Sequence, residues 1–222
     1  MAKKCLLVLI LAGVLAGGIF AQEAASKGAI SLSAGVGGYF TSDFGGGIEV
    51  SGEPSIKTPY AGGGAFLFFD ASYVELSMGF FGGGGKTTIE IGSRGSRDRD
   101  ASYMGLDIGL LGKYPITINE KMSVFPLLGI TYRVMLSAKD EDGNESKNRD
   151  GEDNAGDYSA LWFKLGGGAD FSLTDKIYLH SGLLYGLRLA NKAENDMIDG
   201  NSDAKARLGH GLEVKVAVGF RF

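Results

Sequence analysis

Hydrophobic and polar residues alternate one by one along most of the chain beyond residue 28. The clearest stretch is the last. Leu212, Val214, Val216, Val218, Phe220 and Phe222 share one face, while Gly211, Glu213, Lys215, Ala217, Gly219 and Arg221 share the other. A side-chain period of two marks a strand, not a helix. The same reading recurs at 30–40, where Leu32, Ala34, Val36 and Phe40 oppose Ser33, Gly35, Gly37 and Tyr39. It recurs again at 73–81 (Leu76 and Met78 against Glu75 and Ser77), 103–114 (Leu106 and Ile108 against Gly105 and Asp107) and 124–136 (Ile130 and Val134 against Thr131 and Arg133). Two more strands follow at 161–171 (Phe163 and Leu165 against Trp162 and Lys164) and 177–189 (Leu179 and Leu183 against Tyr178 and His180). Residues 60–69 are the weakest case, because Phe66 to Phe69 are apolar on both faces. Eight strands are predicted.

The connections add a second pattern. Those at 70–72, 115–122 and 172–176 are short. Those near 41–59, 82–102, 137–160 and 190–206 are long and rich in Gly, Asp, Asn, Ser and Glu. Short turns at one rim and long polar loops at the other predict an all-β, up-and-down, eight-stranded antiparallel transmembrane barrel. Its turns and both termini would be periplasmic and its long loops extracellular. A soluble sandwich or lipocalin-like barrel also alternates, but it turns the apolar face inward. The second face decides against both, because it mixes glycines with Tyr39, Tyr73, Tyr103, Trp162 and Tyr178. Alternating small and large side chains fill the interior of a small barrel. Ten strands would result if 44–52 or 86–91 formed extra ones. We read these segments as extensions of their neighbours.

Composition agrees. Glycine supplies 37 of 222 residues, proline only 4, and 44% of the chain is hydrophobic, which excludes disordered and collagen-like classes. A net charge of −4 argues against nucleic acid as a partner. At the N-terminus, Lys3 and Lys4 precede an uncharged apolar run from Cys5 to Phe20, with Ala21 as a small residue at a cleavage site. This is the layout of a signal peptide over 1–21, ahead of a barrel domain over 22–222. The run is short for a retained membrane helix. Cys5 begins it, whereas an acylated lipoprotein cysteine would end it. Without Cys5 the remaining chain has no cysteine, so disulfides, thiolate metal sites and cysteine nucleophiles are excluded.

The ending Lys215-Val-Ala-Val-Gly-Phe-Arg-Phe222 is similar to the C-terminal signal read by the outer-membrane barrel-assembly machinery. Phe220 and Phe222 carry that likeness, and Ala217 replaces the usual glycine. Eight strands with a terminal Phe resemble the small barrels of the OmpA/OmpX/OmpW group. The glycine- and alanine-rich style also resembles spirochaete outer-membrane barrels. The resemblance implies location in a bacterial outer membrane, with lipid and the assembly machinery as partners. It brings no functional motif with it.

Function must then be sought in the lumen and the loops. The inward face carries Glu75, Asp107, Asp170 and Glu213 against Lys113, Arg133, Lys164, Arg188, Lys215 and Arg221, with His180 among them. An eight-stranded interior is just wide enough for side chains to fill, and unpaired buried charges are costly. A structural salt-bridge plug is therefore expected. The alternative is a narrow channel whose two excess positive charges favour anions. The loop at 137–160 holds Asp140, Glu141, Asp142, Glu145, Asp150, Glu152, Asp153 and Asp157 against three bases. Glu145 occupies the glycine position of a calcium loop, so a solvated surface loop is expected, with no metal and no cofactor. Some small outer-membrane barrels are lipid-modifying enzymes with a rim serine and histidine. Here His210 has Ser202 as its nearest serine in sequence, which is a weak candidate pair. The chain is read as a non-enzymatic surface, structural or interaction protein. It acts through acidic loops on an extracellular ligand or host surface.

Overall fold

A computed structural model describes residues 31–44, 46–50, 56–57, 59–90, 96–147, 153–189, 191–199 and 204–222. The signal peptide expected over 1–21 lies outside the described residues. Twelve strands are present among those described: β1 (Leu32–Asp43), β2 (Gly47–Val50), β3 (Ile56–Lys57), β4 (Tyr60–Ala71), β5 (Val74–Glu90), β6 (Ser96–Lys113), β7 (Ile116–Asn119), β8 (Met122–Lys139), β9 (Ala160–Ser172), β10 (Ile177–Arg188), β11 (Ala204–Arg207) and β12 (Gly209–Arg221). One helix, α1 (Lys192–Asp199), follows β10, and a 3-10 turn spans Ala155–Tyr158.

Eight of these strands form a closed antiparallel ring in the order β1, β4, β5, β6, β8, β9, β10, β12. The ring shuts where β1 meets β12, from Ser33 opposite Arg221 to Asp43 opposite Gly211. Both termini of the barrel meet at that seam, where the Phe222 amide donates to the Leu32 carbonyl at 3.0 Å. The seam's lower end lies on the same rim as the turns at 72–73 and 173–176. Ser72 takes a left-handed φ of 63° in the tightest of these turns.

The remaining strands do not widen the ring. β2 pairs β11 and β3, and β3 pairs the outer end of β5, making a small sheet above the long-loop rim. Residues 86–90 prolong β5 against β6. β7 folds back on β8 within the 115–122 connection. The ring is therefore eight-stranded. Residues 86–90 extend β5 as the sequence suggested, whereas 47–50 form a separate strand, β2, and not an extension of a neighbour, because they pair with β11 and β3; residues 45, 51, 52 and 91 lie outside the described residues.

Period two sets the facing. Leu67, Leu128, Leu183 and Val216 point outward and are more than half exposed, whereas their neighbours Phe66, Leu127, Leu184 and Lys215 are buried inside. Phe40, Phe80, Phe163, Phe171, Tyr114 and Phe222 are all on the outer surface. No described helix is long and apolar enough to cross a membrane, and the crossing is made by strands. A continuous apolar wall of this kind has no place in water. The apolar face points out and the charged face in, opposite to a lipocalin or a sandwich.

Residues 66–69 are apolar on both faces because Phe66 and Phe68 enter the lumen while Leu67 and Phe69 face lipid. The lumen is thus part aromatic. Phe66, Phe68, Phe81, Tyr39, Tyr60 and Tyr178 form one buried cluster, and Leu111, Phe125, Leu127 and Leu184 a second.

A charge on the outer wall should be costly only if lipid lies against it. Val216→Arg is expected to lower unfolding stability in lipid vesicles by about 2–4 kcal/mol, the cost of an arginine near the bilayer midplane. Urea titration of the refolded barrel measures this. An unchanged midpoint would contradict the facing.

Candidate functional site

The inward charges are not scattered but linked. Near the short-turn rim, Lys113 bonds Asp70 and lies 3.4 Å from Asp170. Asp170 Oδ1 is 2.8 Å from His180 Nδ1, and His180 Nε2 faces Glu75 Oε2 at 3.3 Å. Glu75 Oε1 is 3.4 Å from Lys215 Nζ, which is 3.5 Å from Glu213 Oε1. Glu213 in turn accepts a hydrogen bond from Lys164. One run of ion pairs, joined through the His180 imidazole, thus threads the lower and middle lumen.

Above it, Arg133 donates through Nε and Nη2 to both oxygens of Asp107, at 2.7 and 2.8 Å, and Tyr39 adds its hydroxyl at 3.1 Å. At the outer mouth, Arg188 meets Asp43 at 3.2 Å and makes a two-pronged bond to Glu194 at 3.1 and 2.9 Å. Arg221 closes the bottom, bonding Ser172 Oγ at 2.9 Å with its guanidinium 4.5 Å from the Tyr178 ring centre. Every strand of the ring contributes a charged or aromatic member, because each strand sends alternate residues inward.

Aromatic rings fill the space between the ions. The His180 ring stacks between Phe68 and Phe125, with centroids 4.8 and 5.6 Å away. Lys113 lies over Phe125 at 4.3 Å and Arg133 over Phe81 at 4.3 Å. A desolvated cation over a ring gains roughly 2 kcal/mol, which offsets part of the cost of burying it. Among these members, the voids are water-sized, about 10 Å³ each.

All ten charged strand residues expected in the lumen, Glu75, Asp107, Lys113, Arg133, Lys164, Asp170, Arg188, Glu213, Lys215 and Arg221, face inward together with His180. Arg221 is the half-exposed one, at the rim. The expected excess of two positive charges is overturned. Asp43, Asp70 and Glu194 are buried among the same cations. Asp43 and Asp70 sit at strand ends, where alternation runs into a loop. Yet Asp43 keeps the parity of Tyr39 and Thr41, and Asp70 that of Phe66 and Phe68. Glu194 comes from α1, which nothing in the alternation foretells. It caps the helix start, where the Asn191 amide donates to Glu194 Oε2 and the Glu194 amide to Asn191 Oδ1.

Above Arg133 and Trp162 the lumen opens into a vestibule of about 380 Å³, lined by the outer ends of the strands, by Ile48 of β2 and by Glu194 of α1. Outside it, Lys192 donates to Asp157 at 2.7 Å, tying α1 to the 3-10 turn. That hydrogen bond holds the exposed Lys192 ammonium above the ordinary lysine pKa.

The loop at 137–160 uses its acids locally. Asp140 Oδ1 accepts from the Asp142 and Asn144 amides at 3.0 and 2.9 Å, and Lys139 faces Glu145 at 3.4 Å. Among the described residues no group of three or more metal-type ligands converges. Asp150 and Glu152 lie outside the described residues. His210 lies on the lipid-side wall, hydrogen-bonded to the Tyr185 hydroxyl, and Ser202 lies outside the described residues. At the seam, the Phe220 and Phe222 rings meet edge to face, 5.7 Å apart.

No protein-family model matches the chain, and no curated protein does. Among solved structures it is similar to the outer membrane protein OprG from Pseudomonas aeruginosa, at 12% identity over 87% of this chain and 96% of that one, with a TM-score of 0.44. It is similar to Ail, the attachment invasion locus protein of Yersinia pestis, at 15% identity over 87% and 100%, with a TM-score of 0.37. It is also similar to the outer membrane protease OmpT from Escherichia coli, at 7% identity over 86% and 97%, with a TM-score of 0.46. The class follows from this barrel itself. A closed even-stranded ring with an apolar wall, a polar interior and short turns at one rim is the outer-membrane architecture. The protein is an eight-stranded β-barrel of the bacterial outer membrane.

Breaking one buried pair should strand its partner. Asp107→Asn is expected to cost about 3–5 kcal/mol, because Arg133 is left with an uncompensated buried charge. Asp107→Leu with Arg133→Met should recover most of that loss. Urea unfolding of the three proteins in vesicles tests it. A double variant as unstable as the single one would contradict the pairing.

Proposed function

We propose that this barrel is a closed, non-enzymatic platform that holds an extracellular surface in place, serving a structural or interaction role. One observation supports it above the others. The run from Lys113 to Lys164, continued by Arg133 and Arg188, fills the lumen among the described residues, and the two voids found within it hold about 10 Å³ each. A channel needs a connected path, and anion preference needs the positive excess that Asp43, Asp70 and Glu194 remove. The enzyme reading has weaker support still, since His210 is engaged by Tyr185 on the outer wall. Acidic residues of the 137–160 loop keep the exposed face negative and solvated, suited to contact with an extracellular ligand or host surface. Lipid surrounds the wall, and the assembly machinery would read Phe220 and Phe222 during biogenesis.

Planar-bilayer recording of the refolded protein tests this reading, with folding verified by heat-modifiable migration. The expected result is silence. Reproducible conductance steps, altered by Arg133→Met, would replace the platform with the narrow-channel reading.

A further inference from the structure

The middle of the lumen carries a feature that the ion pairs leave unexplained. Gly109 of β6 stands between Ser77 of β5 and Thr131 of β8, in register with both. All three are buried on the inward face. A Cβ at Gly109 would lie 2.6 Å from Ser77 Oγ and 3.2 Å from Thr131 Oγ1. Two hydroxyls from flanking strands thus converge on the space that a side chain at 109 would take. Ser77 and Thr131 are 8% and 5% exposed, yet neither hydroxyl has a hydrogen-bond partner among the described residues. A buried hydroxyl left unanswered is costly, and two on one spot call for an occupant that answers both.

The space they border is a void of about 10 Å³, whose wall also includes Lys164, Lys215, Asp107 and Glu213. Donors are in surplus there. Lys164 carries three N–H donors and has one hydrogen-bond partner, Glu213. Lys215 bonds Glu75. Asp107 already accepts two bonds from Arg133 and one from Tyr39. The occupant must therefore accept as well as donate. The wall charges, Lys164 and Lys215 against Asp107 and Glu213, cancel in sum, so no net charge selects an ion. The void has the size of one water molecule, and a buried water typically makes about three hydrogen bonds.

We propose that this void is a fixed binding site for a single water molecule, which bridges the Ser77 and Thr131 hydroxyls and accepts from an ammonium of the wall. Asp107 belongs to the upper pair and Glu213 to the lower run, and both border the void. The water is the joint between the two ion networks and makes the filling of the lumen one hydrogen-bonded unit. This rests on the closed lumen of the platform reading, because an open passage would hold bulk water with no fixed position.

Two measurements on the refolded full chain test the site. The first is a crystal structure of the protein grown in bromide. A density peak within hydrogen-bond reach of Ser77 Oγ and Thr131 Oγ1, without anomalous bromide signal, is expected. An empty void, or a bromide peak there, would overturn the water. The second is urea unfolding in lipid vesicles of Thr131→Val, which keeps the shape of the side chain and removes the hydroxyl. With the water bound, the folding equilibrium constant should fall by about tenfold, the effect of one lost hydrogen bond. With a dry void the hydroxyl is an orphan, and valine would leave the constant unchanged or raise it. Ser77→Ala added to Thr131→Val should cost little more, because the bridge is already lost. Fully additive losses would mean two independent hydroxyls and overturn the bridge. Planar-bilayer conductance reads the platform separately. A silent barrel with a dry void overturns this site alone, and a conducting barrel with no peak at the void overturns both readings.

Discussion

Lipid offers a peptide group no hydrogen-bond partner, and the rest of this structure follows from that. A sheet in hydrocarbon must close on itself so that no strand edge is left unpaired. Here the closure is the β1–β12 seam from Ser33–Arg221 to Asp43–Gly211. Once the ring is shut, side-chain parity has only two destinations. Leu183 must meet lipid and Leu184 the lumen, and a slip of one residue would exchange them.

Closure with eight strands also fixes what the interior can be. The space admits side chains but little else, and the charges placed there have no bulk water to solvate them. Apart from Arg221, which bonds Ser172 at the rim, each has a neighbour of opposite sign, and these pairs link through the His180 imidazole into the run from Lys113 to Lys164. Asp43 and Asp70, on the inward parity at the ends of β1 and β4, and Glu194 from α1 add three further carboxylates. The interior is therefore filled by electrostatics and aromatic rings together, and it opens into the vestibule where α1 and β2 line the outer mouth.

Much of this was legible in the chain because period two is strict on most strands. The stretch from Leu212 to Phe222 shows the facing at once, since its inward positions are small or charged. The stretch from Phe66 to Phe69 hides it, since a lumen that accepts phenylalanine looks like a lipid face. Asp70 could have been placed by extending strand parity one residue past 69, and Asp43 by extending it three residues past 40. Glu194 could not, because it reaches the lumen from a helix whose position depends on tertiary contacts with Arg188. The vestibule was invisible for a related reason. Tyr60 and Trp162 are far apart in sequence and are brought to one cavity only by closure.

Residue Gly182 gives the most direct test of a filled lumen. A Cβ there meets only ordinary contacts, 3.7 Å from Leu127 Cδ1 and 3.9 Å from the Lys215 Cβ, so Gly182→Cys fits. In a chain with Cys5 replaced by serine, its rate of modification by a water-soluble thiol reagent is compared with that of Ala101→Cys in the vestibule wall. A filled lumen requires rapid modification at 101 and protection at 182 in the folded barrel. Equal rates at the two positions would mean a water-filled passage and contradict it.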